Sequence, residues 1–384
     1  LVALGDVNGD GVDDLGVGEG FGTGHPYRVS VFLGRTGQAL ADAPNVVITG
    51  MNNVVAGVKL AGGGDFDGDG RPDILIGSRG ENRAYLVPGD LAWNAETSLA
   101  IDLADADDHT AHRIVTFVLS DPVTEPPELA TNFGINVAFV RDLAPDVLDG
   151  RDEVVIATDT NPNQVVMLRG RAVPAAMIIA ISRTNDGSGE DSTAVRLFPD
   201  TTTRLFGSTS LDGSADLDAD GRGDLLIGHY NASPNKTVYA FYGAWLKGRF
   251  GQAARLEATA ATGDGTVWAH PAEPRGWAVA GTFDRPIVVS NLDDDPALIA
   301  SDDIAYVHHS GSAYGKVYVR LNVADPTDGY GHFPYAAPVL VDPNEPEGTR
   351  MGSFSAVHAR DFNRDGYPDL AVGTNGAGYV LLMY

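Results

Sequence analysis

Four acidic segments of nine residues share one pattern of side chains that could bind a metal ion. They are DVNGDGVDD at 6–14, DFDGDGRPD at 65–73, DLDADGRGD at 216–224 and DFNRDGYPD at 361–369. Each segment places a side-chain oxygen at positions 1, 3, 5 and 9 and a glycine at position 6. The carbonyl of position 7 adds another hard oxygen donor. Calcium takes six or more such ligands, whereas magnesium keeps several waters, so the spacing predicts about four bound Ca²⁺ ions.

The predicted ligands follow directly from this spacing. Site 1 comprises Asp6, Asn8, Asp10, the Val12 carbonyl and Asp14. Site 2 comprises Asp65, Asp67, Asp69, the Arg71 carbonyl and Asp73. Site 3 comprises Asp216, Asp218, Asp220, the Arg222 carbonyl and Asp224. Site 4 comprises Asp361, Asn363, Asp365, the Tyr367 carbonyl and Asp369.

These segments begin like an EF-hand loop and end differently. An EF-hand supplies a bidentate glutamate at position 12, where this chain has Val17, Ile76, Ile227 and Val372. Asp-Gly pairs also favour ordinary hairpin turns, which is the alternative explanation for any single copy. Four copies in one register favour a structural metal loop. Two longer copies, at 142–153 and 291–303, have the wrong spacing, and we predict that both are empty.

The elements around these loops repeat with them. The four segments and the two longer copies start at residues 6, 65, 142, 216, 291 and 361. After each loop come a strand of the type Asp-apolar-x-apolar-Gly and an alternating apolar strand, and further apolar stretches such as 175–182 follow. About four short strands per unit, with glycine at the bends, indicate an all-β protein. Residues 90–132 and 183–205 are predicted to be insertions that lengthen two units.

Repeated four-stranded antiparallel units are typical of a β-propeller, which closes into a ring and so protects its sheet edges. We predict a single β-propeller domain over residues 1–384. Its six repeat units start near residues 1, 56, 133, 206, 276 and 352.

The composition limits the possible partners. The chain has 26 Lys and Arg against 52 Asp and Glu, a formal net charge of −26, and no cysteine. A surface this acidic repels nucleic acid and anionic lipid, so we expect no nucleic-acid partner. The longest apolar run, at 173–181, is far shorter than the roughly 20 residues of a spanning helix, so we expect no membrane insertion.

The loops and the strands that follow them resemble FG-GAP repeats, the blades of the integrin α-subunit propeller. The FG pair is present at Phe133-Gly134 and Phe206-Gly207, and it is altered to GWAVAG at 276 and MGSFSA at 351. The GAP half survives only as the glycine of LGVGEG, ILIGSR, LLIGHY and LAVGTN. The resemblance implies a propeller with calcium in its hairpins and with ligand binding by loops of the opposite face. Integrin propellers have seven blades, so seven is the alternative to the six units counted here.

These features favour an extracellular, secreted or cell-surface module for adhesion, with a protein or carbohydrate ligand and no catalysis. We expect it to be monomeric or part of a larger multidomain chain. Neither HExxH, GxSxG nor a P-loop occurs in the sequence. One alternative is a propeller polysaccharide lyase or hydrolase, since a pair of acidic residues could serve glycoside hydrolysis. Another is a structural spacer within a larger surface protein.

Overall fold

A computed structural model describes most of the first two thirds of the chain and shorter segments of the remainder. The described residues are 2–19, 27–37, 40–51, 59–94, 98–120, 132–143, 149–159, 163–182, 194–198, 206–218, 220–229, 236–250, 253–255, 276–281, 285–289, 303–308, 316–320, 323–324, 331–332, 350–351, 357–360, 369–375 and 380–383. From residue 253 onward the description covers the backbone alone.

The described residues form mostly β-strands. In chain order these are β1 Val2–Gly5, β2 Asp14–Glu19, β3 Arg28–Phe32, β4 Val46–Thr49, β5 Lys59–Gly64, β6 Asp73–Ser78, β7 Arg83–Val87, β8 Leu99–Asp102, β9 Val115–Ser120, β10 Asn136–Val140, β11 Glu153–Ala157, β12 Val165–Leu168, β13 Met177–Ser182, β14 Ala194–Phe198, β15 Phe206–Ala215, β16 Asp224–His229, β17 Lys236–Phe241, β18 Ala253–Arg255, β19 Gly276–Gly281, β20 Arg285–Val289, β21 Asp303–His308, β22 Lys316–Arg320, β23 Val323–Ala324, β24 Gly331–His332, β25 Arg350–Met351, β26 Val357–Arg360, β27 Asp369–Asn375 and β28 Val380–Met383. Helix α1 spans Ala106–Ala111, helix α2 spans Gly243–Leu246, and short 3₁₀ turns lie at Arg79–Glu81 and Lys247–Arg249. Within the described part of the chain, none of the helices is long and apolar enough to cross a membrane.

The strands form sheets that follow the sequence repeats. A separate two-stranded sheet pairs β23 with β24. The six larger sheets have the orders β1-β2-β3-β4-β8, β5-β6-β7-β9-β13, β10-β11-β12-β14-β18 and β15-β16-β17-β19, followed by β20-β21-β22 and by β26-β27-β28 with β25 also paired to β27. We refer to them as the first to the sixth sheet. Neighbouring strands of the repeat pair antiparallel, so the prediction of an all-β protein is confirmed.

Each acidic segment connects the first strand of a sheet to the second. The residue before the segment pairs with its position 9, as in Gly5 with Asp14 and Gly64 with Asp73. The sixth sheet has the same register, with Arg360 opposite Asp369. The corresponding hairpin of the third sheet is longer, because Val140 pairs with Glu153. The strand register therefore shows that this hairpin is longer than the others, as the spacing in the sequence predicted.

Three sheets gain a fifth strand from the repeat unit that follows in sequence. Strand β8 pairs parallel with β4, β13 with β9, and β18 with β14. Each added strand comes from the chain between the third and fourth strands of the next sheet. The sequence predicted residues 175–182 as a strand of their own unit, and residues 177–182 instead extend the second sheet. The predicted insertions 90–132 and 183–205 contain the strands β8, β9 and β14.

By internal contacts the chain divides into two compact units. The first comprises residues 1–208 and 247–257, and the second comprises residues 209–246 and 258–384. In the first unit, the second sheet packs on both faces: Ile74 and Ile76 lie in one core with Leu4 and Val31, and Leu75 lies in another. This second core includes Phe117, Val154 and Ile156. The alternating side chains of β6 thus join neighbouring sheets within the first unit.

The second unit contains the fourth sheet. Strand β19 pairs antiparallel with β17, from Phe241 opposite Gly276 to Lys236 opposite Gly281. The fourth sheet therefore extends past residue 276, near which the sequence placed the start of the fifth repeat unit. The fifth sheet begins at Arg285, where β20 pairs with β21.

The FG pair and the glycine of the GAP half contact each other in the first unit. Phe133 is fully buried in the core between the second and third sheets. Gly134 has φ +84°, and a Cβ on it would lie 2.1 Å from the Arg83 carbonyl oxygen. A Cβ on Gly77, the glycine of ILIG, would lie 2.3 Å from the Gly134 carbonyl oxygen. Two adjacent repeats therefore meet backbone to backbone where any side chain would separate them.

We expect Gly134→Ala to lower the free energy of unfolding by about 3 kcal/mol. A positive φ costs an alanine about 1 kcal/mol, and the clash with the Arg83 backbone adds about 1–3 kcal/mol. Gly37→Ala is the matched control, because Gly37 also has a positive φ but has no atoms near its Cβ position. The control should lose about 1 kcal/mol in urea unfolding. Equal losses for both variants would contradict the packing role of Gly134.

Candidate metal centres

Three of the four acidic loops lie within the described residues, apart from residue 219 of site 3, and they share one set of backbone hydrogen bonds. The carboxylate at position 1 accepts the backbone N–H groups of positions 5 and 6 at 2.8–3.2 Å. The carboxylate at position 5 accepts the N–H of position 7 at 2.9–3.0 Å. The glycine at position 6 has a positive φ in all three loops, which explains why this position needs glycine. The repeated sequence thus gives one repeated conformation.

The acid at position 9 connects each loop to the end of the third strand of its sheet. Asp14, Asp73 and Asp224 are nearly or fully buried. Each accepts two backbone N–H groups at 2.5–3.2 Å, one from position 2 and one from the glycine after the third strand. This carboxylate therefore fixes the loop and the beginning of the second strand together. A carboxylate oxygen has further lone pairs, so these bonds leave capacity to bind a cation.

The acids of sites 2 and 3 converge on one point. In site 2, one oxygen each from Asp65, Asp67 and Asp73 lie within 4.8 Å of one another, and the same holds for Asp216, Asp218 and Asp224 in site 3. Calcium–oxygen distances are about 2.3–2.6 Å, so oxygens at this separation can share one ion. Asp218 Oδ1 is buried and has no hydrogen-bond partner among the described residues. The arrangement fits a hard divalent cation.

The charges at these loops are poorly compensated by the protein. Burial, followed by the neighbouring acids of the same loop, raises the pKa of Asp218 to about 6. Burial raises the pKa of Asp14 to about 6, against the lowering effect of its two backbone N–H bonds. The pKa values of Asp73 and Asp224 are raised well above the ordinary range, mainly by burial and then by the acid at position 3. A bound cation would supply the missing positive charge.

Site 1 differs from sites 2 and 3 at position 3, and most of site 4 lies outside the described residues. Site 1 has the hydrogen bonds of the other loops, but its position 3 is Asn8, whose side-chain nitrogen donates to Asp10 Oδ2 at 3.1 Å. In site 4, residues 361–368 lie outside the described residues, and Asp369 is described as the first residue of β27. Its ligand set therefore stays a prediction. The 291–303 loop, predicted to be empty, also lies outside the described residues up to Asp303.

In the longer loop at 142–153, two acidic side chains accept backbone hydrogen bonds, and one of them takes the role of the position 9 acid of the short loops. Glu153 Oε2 accepts the Leu143 N–H at 2.8 Å, as the acid at position 9 does elsewhere. Burial raises the pKa of Glu153 to about 8. The carboxylate of Asp152 accepts the N–H groups of Asp142 and Asp65 at 3.0 and 2.9 Å. This loop is therefore hydrogen-bonded to the first residue of site 2.

Two arginines at site 2 were not found by sequence reasoning. Arg113 Nη1 lies 3.1 Å from Asp67 Oδ2, and its Nη2 lies 3.6 Å from Asp69 Oδ2. Arg151 Nε donates to the Asp67 carbonyl oxygen at 3.3 Å. Both residues are more than 40 positions in sequence from the loop residues that they contact, so no local pattern could identify them. At site 2, arginines from outside the loop therefore contact the acidic segment.

Comparison with known proteins agrees with this repeat structure. The profile of the FG-GAP repeat matches residues 56–95 and 353–383, which include sites 2 and 4. The chain therefore contains FG-GAP repeats, and the predicted resemblance is confirmed.

Several integrin α subunits are similar to part of the chain. Integrin alpha-5 of Xenopus laevis is 32% identical over 108 residues, which is 26% of this chain and 10% of that protein. Integrin alpha-E of Mus musculus is 36% identical over 89 residues, 21% of this chain and 8% of that protein. Integrin alpha-3 of Cricetulus griseus is 31% identical over 91 residues, 22% of this chain and 9% of that protein. The matches thus span at most about a tenth of these relatives.

Proposed function

We propose that this chain of FG-GAP repeats is a calcium-stabilised β-propeller that binds a protein or glycan ligand outside the cell. The observation that carries the proposal is the single hydrogen-bond arrangement of three acidic loops, each with oxygen donors at the same positions. The neighbouring first strands support the ring: β1 lies beside β5, and β5 lies beside β10. In a propeller the first strands of all blades surround a common axis.

The calcium sites proposed here are the four ligand sets predicted from the sequence. Calcium supplies a hard divalent charge that draws the oxygens of a loop together. The protein already holds the three described loops in shape by backbone bonds to positions 1, 5 and 9, so little rearrangement is needed when they bind an ion. The ion therefore stabilises a hairpin, and position 12 offers no glutamate with which the loop could open and close.

The ligand surface proposed here is the end of the sheets opposite the acidic loops. The second strands end and the third strands begin there, because each acidic loop occupies the other end of the second strand. Polar groups occur there: Arg28 forms an ion pair with Glu19 at 2.7 Å, and Asp159 accepts from Asn132 and lies 3.9 Å from Arg79. Loops on a rigid scaffold are a common place for recognition. Calcium bound in the acidic loops, at the other end of the sheets, would keep this surface in a fixed geometry.

We expect the immobilised chain to capture a distinct set of glycans or extracellular proteins in millimolar calcium and to release it in chelator. Arg28→Glu reverses a charge at the proposed binding end and should weaken capture. Asp42→Arg is the control, since Asp42 is exposed on the connection from β3 to β4 at the loop end. Turnover of polysaccharides in a parallel screen would replace this function with that of a lyase or hydrolase. If the chain captures neither glycans nor extracellular proteins and shows no turnover, it is a structural spacer.

A further inference from the structure

Arg113 occupies a backbone position at which glycine is usual. It follows helix α1 and the C-cap residue His112, and it has φ +53°. The Ile114 N–H donates to the His109 carbonyl oxygen at 3.0 Å, which is the 6→1 bond of a Schellman motif with Arg113 at the left-handed position. A side chain there costs about 1 kcal/mol relative to glycine. Because the backbone at this position favours glycine, we infer that the arginine is present for the contacts of its side chain.

That side chain bridges site 2 to a neighbouring segment. Its guanidinium lies on Asp67 and Asp69, two of the proposed calcium ligands, at 3.1 and 3.6 Å. The same Nη1 also donates to the Val173 carbonyl oxygen at 3.0 Å. Val173 lies in the connection that leads from the third sheet to β13, the strand added to the second sheet. One cation therefore offsets part of the negative charge of the loop and also joins the loop to this connection.

Site 3 provides the comparison within the same molecule. Asp218 stands at position 3, as Asp67 does in site 2. Asp218 Oδ1 has no hydrogen-bond partner in the described part of the chain, whereas Asp67 Oδ2 accepts from Arg113. A calcium ion entering site 3 meets an unpaired oxygen. A calcium ion entering site 2 meets an oxygen already engaged by a positive charge.

We propose that Arg113 is an internal counter-cation that competes with calcium at site 2. This inference rests on the calcium binding proposed above. A guanidinium that is hydrogen-bonded to one ligand and ion-paired with a second repels a divalent ion at the same carboxylates, and this repulsion lowers the affinity of the site. We therefore expect site 2 to release calcium before site 3 does. Its loop keeps its conformation when empty, because Arg113 still balances Asp67 and Asp69.

Arg113→Asn tests the proposal, because asparagine tolerates the left-handed conformation and carries no charge. In chelator the variant should melt at a lower temperature than the wild type, since Asp67 and Asp69 lose their counter-charge. In calcium titration by calorimetry, one site should bind about tenfold more tightly and the others should be unchanged. Arg113→Lys, which keeps the charge, should remain close to the wild type in both measurements.

A double-mutant cycle assigns the effect to site 2. In an Asp67→Ala, Asp69→Ala background, Arg113→Asn should no longer change calcium affinity. If the wild type binds no calcium, the proposed function fails. If the wild type binds calcium and Arg113→Asn leaves its affinity unchanged or weakens it, the counter-cation role is wrong and Arg113 instead positions Asp67 as a ligand. An unchanged melting temperature in chelator would equally overturn the proposal.

Discussion

Removal of calcium is expected to lower the melting temperature of the chain substantially without unfolding it at room temperature. A ligand that binds only the native state stabilises it by RT ln(1 + [L]/Kd), which is about 2.7 kcal/mol for each site saturated 100-fold. Several such sites make this one of the two largest effects we expect. The buried cores that join the first three sheets remain when the ions leave, so the fold should persist. Thermal unfolding in millimolar calcium and in excess chelator measures the difference.

Two controls separate calcium from general ionic effects. Magnesium at the same concentration should restore little of the lost stability, because it binds fewer protein oxygens and keeps its waters. Elemental analysis of the calcium-loaded chain should find about four ions. Five or six ions would mean that the loops at 142–153 and 291–303 also bind. A melting curve that is the same in calcium and in chelator would contradict the structural role of the metal.

The acidic loops could be predicted from the sequence because their chemistry is local. Ligands, turn glycine and the strand that follows all lie within about a dozen residues, and hydrogen bonds within that span fix the conformation. The equivalence of Asp14, Asp73 and Asp224 in the structure follows from their identical position in the pattern. The longer loop could be recognised by its spacing. The sequence also shows that Glu153 replaces the position 9 acid, but it does not show that Glu153 accepts a hydrogen bond from the Leu143 N–H.

The exchange of strands between units could not be predicted, because it leaves no local signal. Strand β13 lies largely within the longest apolar run of the chain, at 173–181, and a continuous apolar run does not indicate which sheet its strand joins. The fourth strand of the third sheet is β14, Ala194–Phe198, which lies within a segment that the sequence marked as an insertion. A parallel partner requires a crossover of many residues, so pairing depends on tertiary packing.

Arg113 is likewise a feature of site 2 that leaves no local signal in the sequence. It reaches Asp67 from 46 positions away in sequence, through a helix and a left-handed turn. A pattern of oxygen donors identifies what can bind an ion, and it carries no information about charges that other elements bring to the same place. The relative strengths of otherwise similar loops therefore depend on the fold.

Asp73→Ala is expected to destabilise the chain by about 5 kcal/mol in calcium and by about 2–3 kcal/mol in chelator. Asp73 is fully buried, and its two oxygens accept the N–H groups of Phe66 and Gly89 at 2.8 and 3.2 Å. Alanine leaves both buried donors without a partner, at a cost of at least about 1 kcal/mol each. It also removes a proposed ligand of site 2, so the ~2.7 kcal/mol that a saturated ion supplies is lost in calcium only.

The difference between the two conditions isolates the metal contribution, because the lost backbone hydrogen bonds are common to both. Asp42→Ala removes one exposed acid outside the loops and should change stability by less than about 0.5 kcal/mol in either condition. Asp224→Ala should repeat the Asp73→Ala result, since Asp224 makes the equivalent bonds to Leu217 and Gly243 in site 3. If urea unfolding shows the same loss for Asp73→Ala in calcium and in chelator, Asp73 is a structural hydrogen-bond acceptor and does not bind the ion.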